Sequence, residues 1–150
     1  MSEYSNNNLP EITLKYKAGN TKKTILTGSE TTSNLLRSLY DSDTLEINEN
    51  VIVLFLNRAN KTLGWTKHSS GGACSCIMDV KLILTTALQC GAQAMILSHN
   101  HPSGNLKPSQ QDLAITARIN TACKALDLTL LDHVIITTEG YYSFADEGQM

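Results

Sequence analysis

The sequence predicts an α/β fold of the α+β kind, one mixed β-sheet flanked by helices. Three observations carry that expectation. Two short apolar runs, Val51-Ile52-Val53-Leu54-Phe55-Leu56 and Ala94-Met95-Ile96-Leu97, have the continuity of buried strands. Two longer segments repeat apolar residues at helical spacing: Val80, Ile83, Leu84, Ala87 and Leu88 in one, Ile115, Ile119, Ala122, Cys123 and Leu126 in the other. Finally, a chain of 150 residues, 41% hydrophobic and 17% charged, fits one domain and can bury a real core.

Taken in order, Ile12 to Lys17 alternates apolar and polar residues and is expected to be a strand. Glu30 to Tyr40 reads as a helix with Leu35, Leu36 and Leu39 on one side. Residues 51–57 form the first firm strand, and the turn-rich Asn57-Arg58-Ala59-Asn60-Lys61 returns the chain through Thr62 to His68 as a hairpin. Ser69-Ser70-Gly71-Gly72 is read as a turn. Asp79 to Cys90 is the first of the two periodic helices, with Gly91 suited to its C-terminal cap. The strand at 94–97 follows, then a turn at Pro102-Ser103-Gly104, and a long helix opened by Pro108-Ser109. Leu128 to Thr137 supplies another strand, and Glu139-Gly140 turns the chain into a last one, Tyr141 to Phe144. Residues 1–44 are expected to be an extension, with a short strand and a helix packed on a domain of residues 45–150.

Composition excludes several classes. A formal net charge of −2 leaves no basic surplus for phosphates, and Lys15, Lys17, Lys22 and Lys23 read as a solvated face. No run of 18 apolar residues predicts a membrane span, and the polar, Asn-rich start is no secretory signal. Cysteines 74, 76, 90 and 123 form no CxxC pair or disulfide framework, so a cytoplasmic setting is expected. Cys90 and Cys123 read as small core residues, and Cys74 and Cys76 as reduced thiols on a loop or edge strand. Trp65 reads as packing and His68 as a surface residue.

The chemistry concentrates in one run, Ser98-His99-Asn100-His101-Pro102-Ser103-Gly104-Asn105-Leu106-Lys107-Pro108-Ser109-Gln110-Gln111-Asp112. Residues i and i+2 of an extended chain point to one face, so His99 and His101 can chelate one ion. Two imidazoles and a carboxylate form a ligand set for catalytic zinc that leaves one position for water. Stepping about 100° per residue puts Asp112 in the middle of the helix's apolar stripe. A carboxylate there is expensive unless something pairs with it. Ser109-x-x-Asp112 is also an ordinary helix-capping arrangement, and the two readings stand side by side.

The whole constellation resembles the JAMM, or MPN-plus, metalloprotease motif. His99-Asn100-His101-Pro102-Ser103-Gly104, Pro108-Ser109-x-x-Asp112, and Leu131-Asp132-His133-Val134-Ile135 followed by Tyr142-Ser143-Phe144 resemble the RadC branch, over about residues 45–148. RadC-like chains carry Arg-Glu where this one has Asp79-Val80, a departure that leaves the metal set intact. The resemblance implies a JAMM/MPN or cytidine-deaminase-like sandwich, with Zn²⁺ held by His99, His101 and Asp112. It also implies an upstream glutamate as general acid and base. Glu46 and Glu49 have opposite parity, and the RadC-like strand beginning matched on Val53-Leu54-Phe55-Leu56-Asn57 selects Glu49. Ser109 would donate a hydrogen bond to the oxyanion. Asp132-His133 reads as a buried histidine satisfied by neighbouring chain rather than a second catalytic pair.

The activity so implied is a zinc-dependent hydrolase cleaving peptide or isopeptide bonds, its protein or peptide substrate and any homo-oligomer left open. RadC-like proteins also carry an N-terminal helical region with a helix-hairpin-helix character, and this chain reads as a short, stand-alone relative. The rivals are a DNA-associated repair or mobile-element factor, disfavoured by the acidic balance, and a non-catalytic zinc-binding interaction domain.

Overall fold

A computed structural model describes residues 10–70 and 78–150, with only the backbone of Ser69 and Ser70. The elements are α1 (Ser29–Leu39), β1 (Asn50–Leu56), β2 (Thr62–Ser70), α2 (Val80–Gln89), β3 (Ala94–Asn100), α3 (Gln110–Ala125), β4 (Thr129–Ile136) and β5 (Tyr141–Ser143). The strands form one sheet in the order β2-β1-β3-β4-β5. Only β3 and β4 run parallel; the other neighbouring pairs are antiparallel. That single parallel pair follows from the connection between them, since α3 is the crossover a parallel pair requires. The expected mixed sheet flanked by helices is therefore present, and it is consistent with a JAB/MPN domain.

Helices cover both faces of the sheet, which is why β1 and β3 are buried along their whole length. Alternate residues serve opposite layers. Val51, Val53 and Phe55 of β1 join Met95 and Leu97 of β3 in a core with Ile83 and Ala87 of α2 and Ile119 and Cys123 of α3. Ile52, Leu54 and Leu56 join Ile96, Val134 and Ile136 in a second core under Leu36 of α1. A strand buried on both faces shows a continuous apolar run instead of alternation. Arg37 on α1 reaches over to the β4–β5 turn, donating to the carbonyls of Thr137 and, at 2.9 Å, Gly140.

The helix boundaries follow local chemistry. Asp79 caps α2 by accepting from Leu82 N–H at 3.1 Å. Cys90 ends it, and Gly91 beyond takes φ 66, the left-handed conformation that lets Ala92 N–H reach the Ala87 carbonyl. Burial pushes the Cys123 thiol up to about 11, consistent with an inert core residue.

Five expectations change. Residues 12–17 are in no strand among the described residues, and Ile12 is 91% exposed. Their alternation suits a strand, but no described strand pairs with them; Thr24 and Leu26 bond the hairpin instead, at Thr62 and Asn60. Trp65 is 47% exposed on edge strand β2. Leu88 and Leu126 belong to their helical stripes by spacing, yet are 49% and 42% exposed, while Ala87 and Cys123 beside them are buried in the core. His68 is partly buried and accepts from Asp79 N–H at 3.0 Å; desolvation lowers its pKa, against the pull of the Asp79 charge. The expected turn at Ser69-Ser70 is strand, since β2 runs through Ser70; its continuation at Gly71-Gly72, and Cys74 and Cys76, lie outside the described residues. Among the described residues no helix is long and apolar enough to cross a membrane.

Candidate metal centre

The site forms where β3 runs out of the sheet. His99 is its penultimate residue, fully buried, and His101 lies one residue past its end. Backbone pairing continues beyond the strand, with His101 N–H donating to the Ile136 carbonyl at 3.0 Å, so both imidazoles keep the same face. The chain then turns through Pro102 and Ser103 to Gly104, whose N–H returns to the His101 carbonyl at 3.0 Å and whose φ of 79 suits glycine. That turn brings the start of α3 over the two histidines.

Ser109 caps α3 and Asp112 closes a reciprocal capping box: Asp112 N–H donates to Ser109 Oγ at 3.0 Å, and Ser109 N–H to Asp112 Oδ2 at 2.7 Å. The capping reading and the site reading of Ser-x-x-Asp thus coexist. The cap fixes the carboxylate's orientation, and Oδ1 then lies 3.3 Å from His99 Nε2 while Oδ2 lies 3.5 Å from His101 Nε2. His99 Nε2 and His101 Nε2 are 2.9 Å apart. Among the described residues, these three side chains are grouped so that one ligand atom from each lies within 4.8 Å of the others.

The donor chemistry fits a metal ion. His101 Nδ1 is 2.6 Å from the Asn105 carbonyl oxygen, which can only accept, so Nδ1 carries the proton and Nε2 offers its lone pair inward. Zinc bonds of about 2.0–2.1 Å to nitrogen set tetrahedral ligands roughly 3.3 Å apart, close to the separations found here. The same convergence attracts positive charge generally. The bond to Asp112 raises the pKa of His101, burial opposes it, and the Asn105 carbonyl and the charge of Glu49 add to the rise. Burial would raise the Asp112 carboxyl, but the bonds to His101 and His99 hold it far below the usual carboxylate range.

Glu49 lies just before β1, the strand next to the one that carries the histidines. Val51 of β1 pairs with His99 of β3 in an antiparallel ladder. The charge of Glu49 acts on His101. Glu46 instead accepts from the Thr138 hydroxyl at 2.8 Å, on the surface. Asn100, between the two histidines, points to the other side and was passed over in the sequence. Its Oδ1 accepts from Asn50 N–H at 2.7 Å, and its Nδ2 donates to the Leu45 and Asn48 carbonyls at 2.7 and 2.8 Å. It thereby clamps the loop that carries Glu49. The spacing His-Asn-His contained that signal, since the middle residue must face away from its neighbours.

His133 is buried and satisfied by its neighbours, as expected, but those neighbours include the site. It lies 2.8 Å from His99 Nδ1 and 2.6 Å from the Thr116 hydroxyl. Desolvation lowers its pKa well below the ordinary histidine value, and the neighbouring His99 adds to the effect. Neither Thr116 nor the contact to His99 was legible in the sequence.

A mixed sheet with a His-x-His group at one strand end, closed by an Asp on the following helix, defines an α/β domain of JAB type with a group able to hold a metal. The comparisons narrow this. The sequence model described as the RadC-like JAB domain matches residues 26–149, so the chain belongs to the RadC-like JAB domain family. The match takes in α1 as well as everything from β1 onward. Similar proteins include a UPF0758 protein of Flavobacterium johnsoniae, 52% identical over 96 residues, which cover 64% of this chain and 42% of that one. A UPF0758 protein of Porphyromonas gingivalis is 45% identical over 101 residues, 67% of this chain and 44% of the other. One of Aquifex aeolicus is 34% identical over 140 residues, 93% and 58% of the two chains. The chain thus spans about half the length of the curated relatives it matches.

Proposed function

We propose that the chain is a zinc-dependent hydrolase that cleaves peptide or isopeptide bonds. The observation that carries this reading is the convergence of His99 Nε2, His101 Nε2 and the Asp112 carboxylate, and the charge of Glu49 acting on His101 supports it. Bound zinc would supply an electrophile for the scissile carbonyl and lower the pKa of water to about 7. The protein's own groups do the rest. Glu49, held by the Asn100 clamp, removes a proton from the attacking water and returns one to the leaving amine. Ser109 Oγ spends its lone pair on Asp112 N–H, which keeps its own proton for a developing oxyanion. Asp112, fixed by the helix cap, and His101, fixed by the Asn105 carbonyl, need little reorganisation to hold the ion. We place the protein in the cytoplasm, a setting supported by the free thiols of Cys90 and Cys123.

The test is turnover of a quenched-fluorescence peptide and isopeptide panel by the zinc-reconstituted chain. Glu49→Gln should lower the rate by about 10²–10⁴ and keep the zinc, because a proton shuttle is not a ligand. Glu46→Gln should leave the rate unchanged. Inactivity of Glu46→Gln with an active Glu49→Gln would sink the assignment.

A further inference from the structure

The second sequence word, Asp132-His133 with Ser143-Phe144, has no part in the proposed chemistry, yet the structure builds it against the back of His99. We propose that His133 and Thr116 are positioning residues that decide which nitrogen of His99 faces the metal site, an inference that rests on the hydrolase reading for the ion but not for the hydrogen bonds.

The proton positions follow from the contacts together with the burial of His133. Thr116 Oγ1 is 2.6 Å from the Asp112 carbonyl oxygen, and that oxygen has no proton. The hydroxyl must therefore donate there, a bond a helical threonine commonly makes to the carbonyl four residues back. A hydroxyl has one proton, so in its 2.6 Å contact with His133 Nδ1 it can only accept. His133 Nδ1 therefore carries a hydrogen. The His133 ring is fully buried, and a second proton on it would make a buried cation. Nε2 of His133 is then an acceptor, and the only proton for its 2.8 Å contact with His99 is on His99 Nδ1. His99 Nε2 is left bare, facing His101 and Asp112.

The surroundings hold this relay rigid. The His133 ring stacks on Phe144, centroids 4.5 Å apart and planes inclined by 12°. Phe144 N–H donates to the His133 carbonyl at 3.0 Å. Asp132 accepts from the Ser143 hydroxyl at 2.6 Å, from Ala145 N–H at 3.0 Å and from His133 N–H at 2.7 Å, tying the turn after β5 to β4. A register shift in the β3–β4 ladder, where Met95 pairs with Leu130 but Ile96 with Asp132, turns His133 to the α3 side. The relay begins and ends on α3: Thr116 reads the backbone of Asp112, and the relay orients His99 toward the carboxylate of the same residue.

The experiment measures zinc affinity by competition with a chromophoric chelator, alongside thermal unfolding of each metal-free chain. His133→Leu removes the acceptor for His99 and should weaken zinc binding roughly 10–100-fold, the usual effect of losing a partner of a ligating histidine. His133→Gln, whose amide oxygen can still accept from His99, should restore most of that loss. If His133→Leu does not fold, Thr116→Val carries the test: a methyl replaces the hydroxyl at nearly constant volume, His133 loses its fixed tautomer, and zinc affinity should again fall. Equal affinity in the folded variants and the wild type would overturn the proposal. A second readout is ring-nitrogen NMR of the metal-free wild type, where His99 should carry a hydrogen on Nδ1, as in the Nδ1–H tautomer; a bare Nδ1 would overturn it independently. A wild type that shows that tautomer yet binds no zinc would overturn the hydrolase reading while supporting the relay.

Discussion

Asp112 and Thr116 near the start of α3, and Ile119 and Cys123 further along, lie on one stripe of the helix, and all four are buried. The later pair packs in the core with Val53, Phe55, Met95 and Leu97. The earlier pair touches histidines: Asp112 faces His99 and His101, and Thr116 bonds His133. The two halves obey different physics. Apolar burial is non-directional and tolerates any neighbour of suitable shape. A buried carboxylate and hydroxyl are tolerated only where specific partners replace water. One end of α3 is therefore held by volume and the other by a set of named hydrogen bonds, and perturbations should separate them.

The largest effect should come from removing the nitrogen ligands. Zinc-reconstituted wild type should contain near-stoichiometric zinc by elemental analysis, and His99→Ala/His101→Ala none; zinc retained in the double variant would place the ion elsewhere. At the apolar end, Ile119→Ala should cost about 2–5 kcal/mol in urea unfolding, since it opens a cavity in a fully buried position, while zinc binding of the folded fraction stays unchanged. Asp112→Ala should show the reverse pattern. It removes a ligand and half of a capping box, so zinc affinity should collapse while stability falls by only about 1 kcal/mol. Global unfolding of metal-free Asp112→Ala, seen by circular dichroism, would show instead that both ends of the helix depend on the ion.

The smallest effect concerns Asp132. Burial raises its carboxyl above the ordinary value, against the hydrogen bonds from Ser143, Ala145 and His133 that favour the anion. With the folded pKa above the unfolded one, its contribution to stability is fully present below the unfolded value of about 3.9 and is lost as pH rises through the folded pKa. In metal-free protein, the stability advantage of wild type over Asp132→Asn should therefore be greater at pH 4 than at pH 7. An advantage that grows with pH would mean that the hydrogen bonds dominate and the carboxyl is depressed.

Where one face or stripe could be packed against any apolar layer, the sequence was a good guide. The runs at 51–56 and 94–97 are strands buried on both faces, and the periodic segments became α2 and α3 within a residue or two of their expected caps. Local chemistry alone sets such elements: side-chain spacing, Asp79 and Ser109 as caps, Gly91 and Gly104 at positive φ. The failure at 12–17 has the same root. Alternation specifies a strand only when a neighbouring strand completes its hydrogen bonds, and no described strand does so.

The candidate site divides along the same line. The sequence by itself determined the donor types, the shared face of His99 and His101, and the place of Asp112 on the inward stripe, because each rests on a separation of a few residues within one element. Only the tertiary structure decided what depends on pairing between distant elements. The Asn100 side chain, between the two histidines, clamps the loop that carries Glu49. Counted by alternation from Leu130, His133 would face away from the α2–α3 core; the shift in the β3–β4 register reverses it and puts its ring behind His99. A one-residue change of register exchanges the two faces of a strand, and the sum of packing across the whole sheet, not the strand's own residues, selects the register.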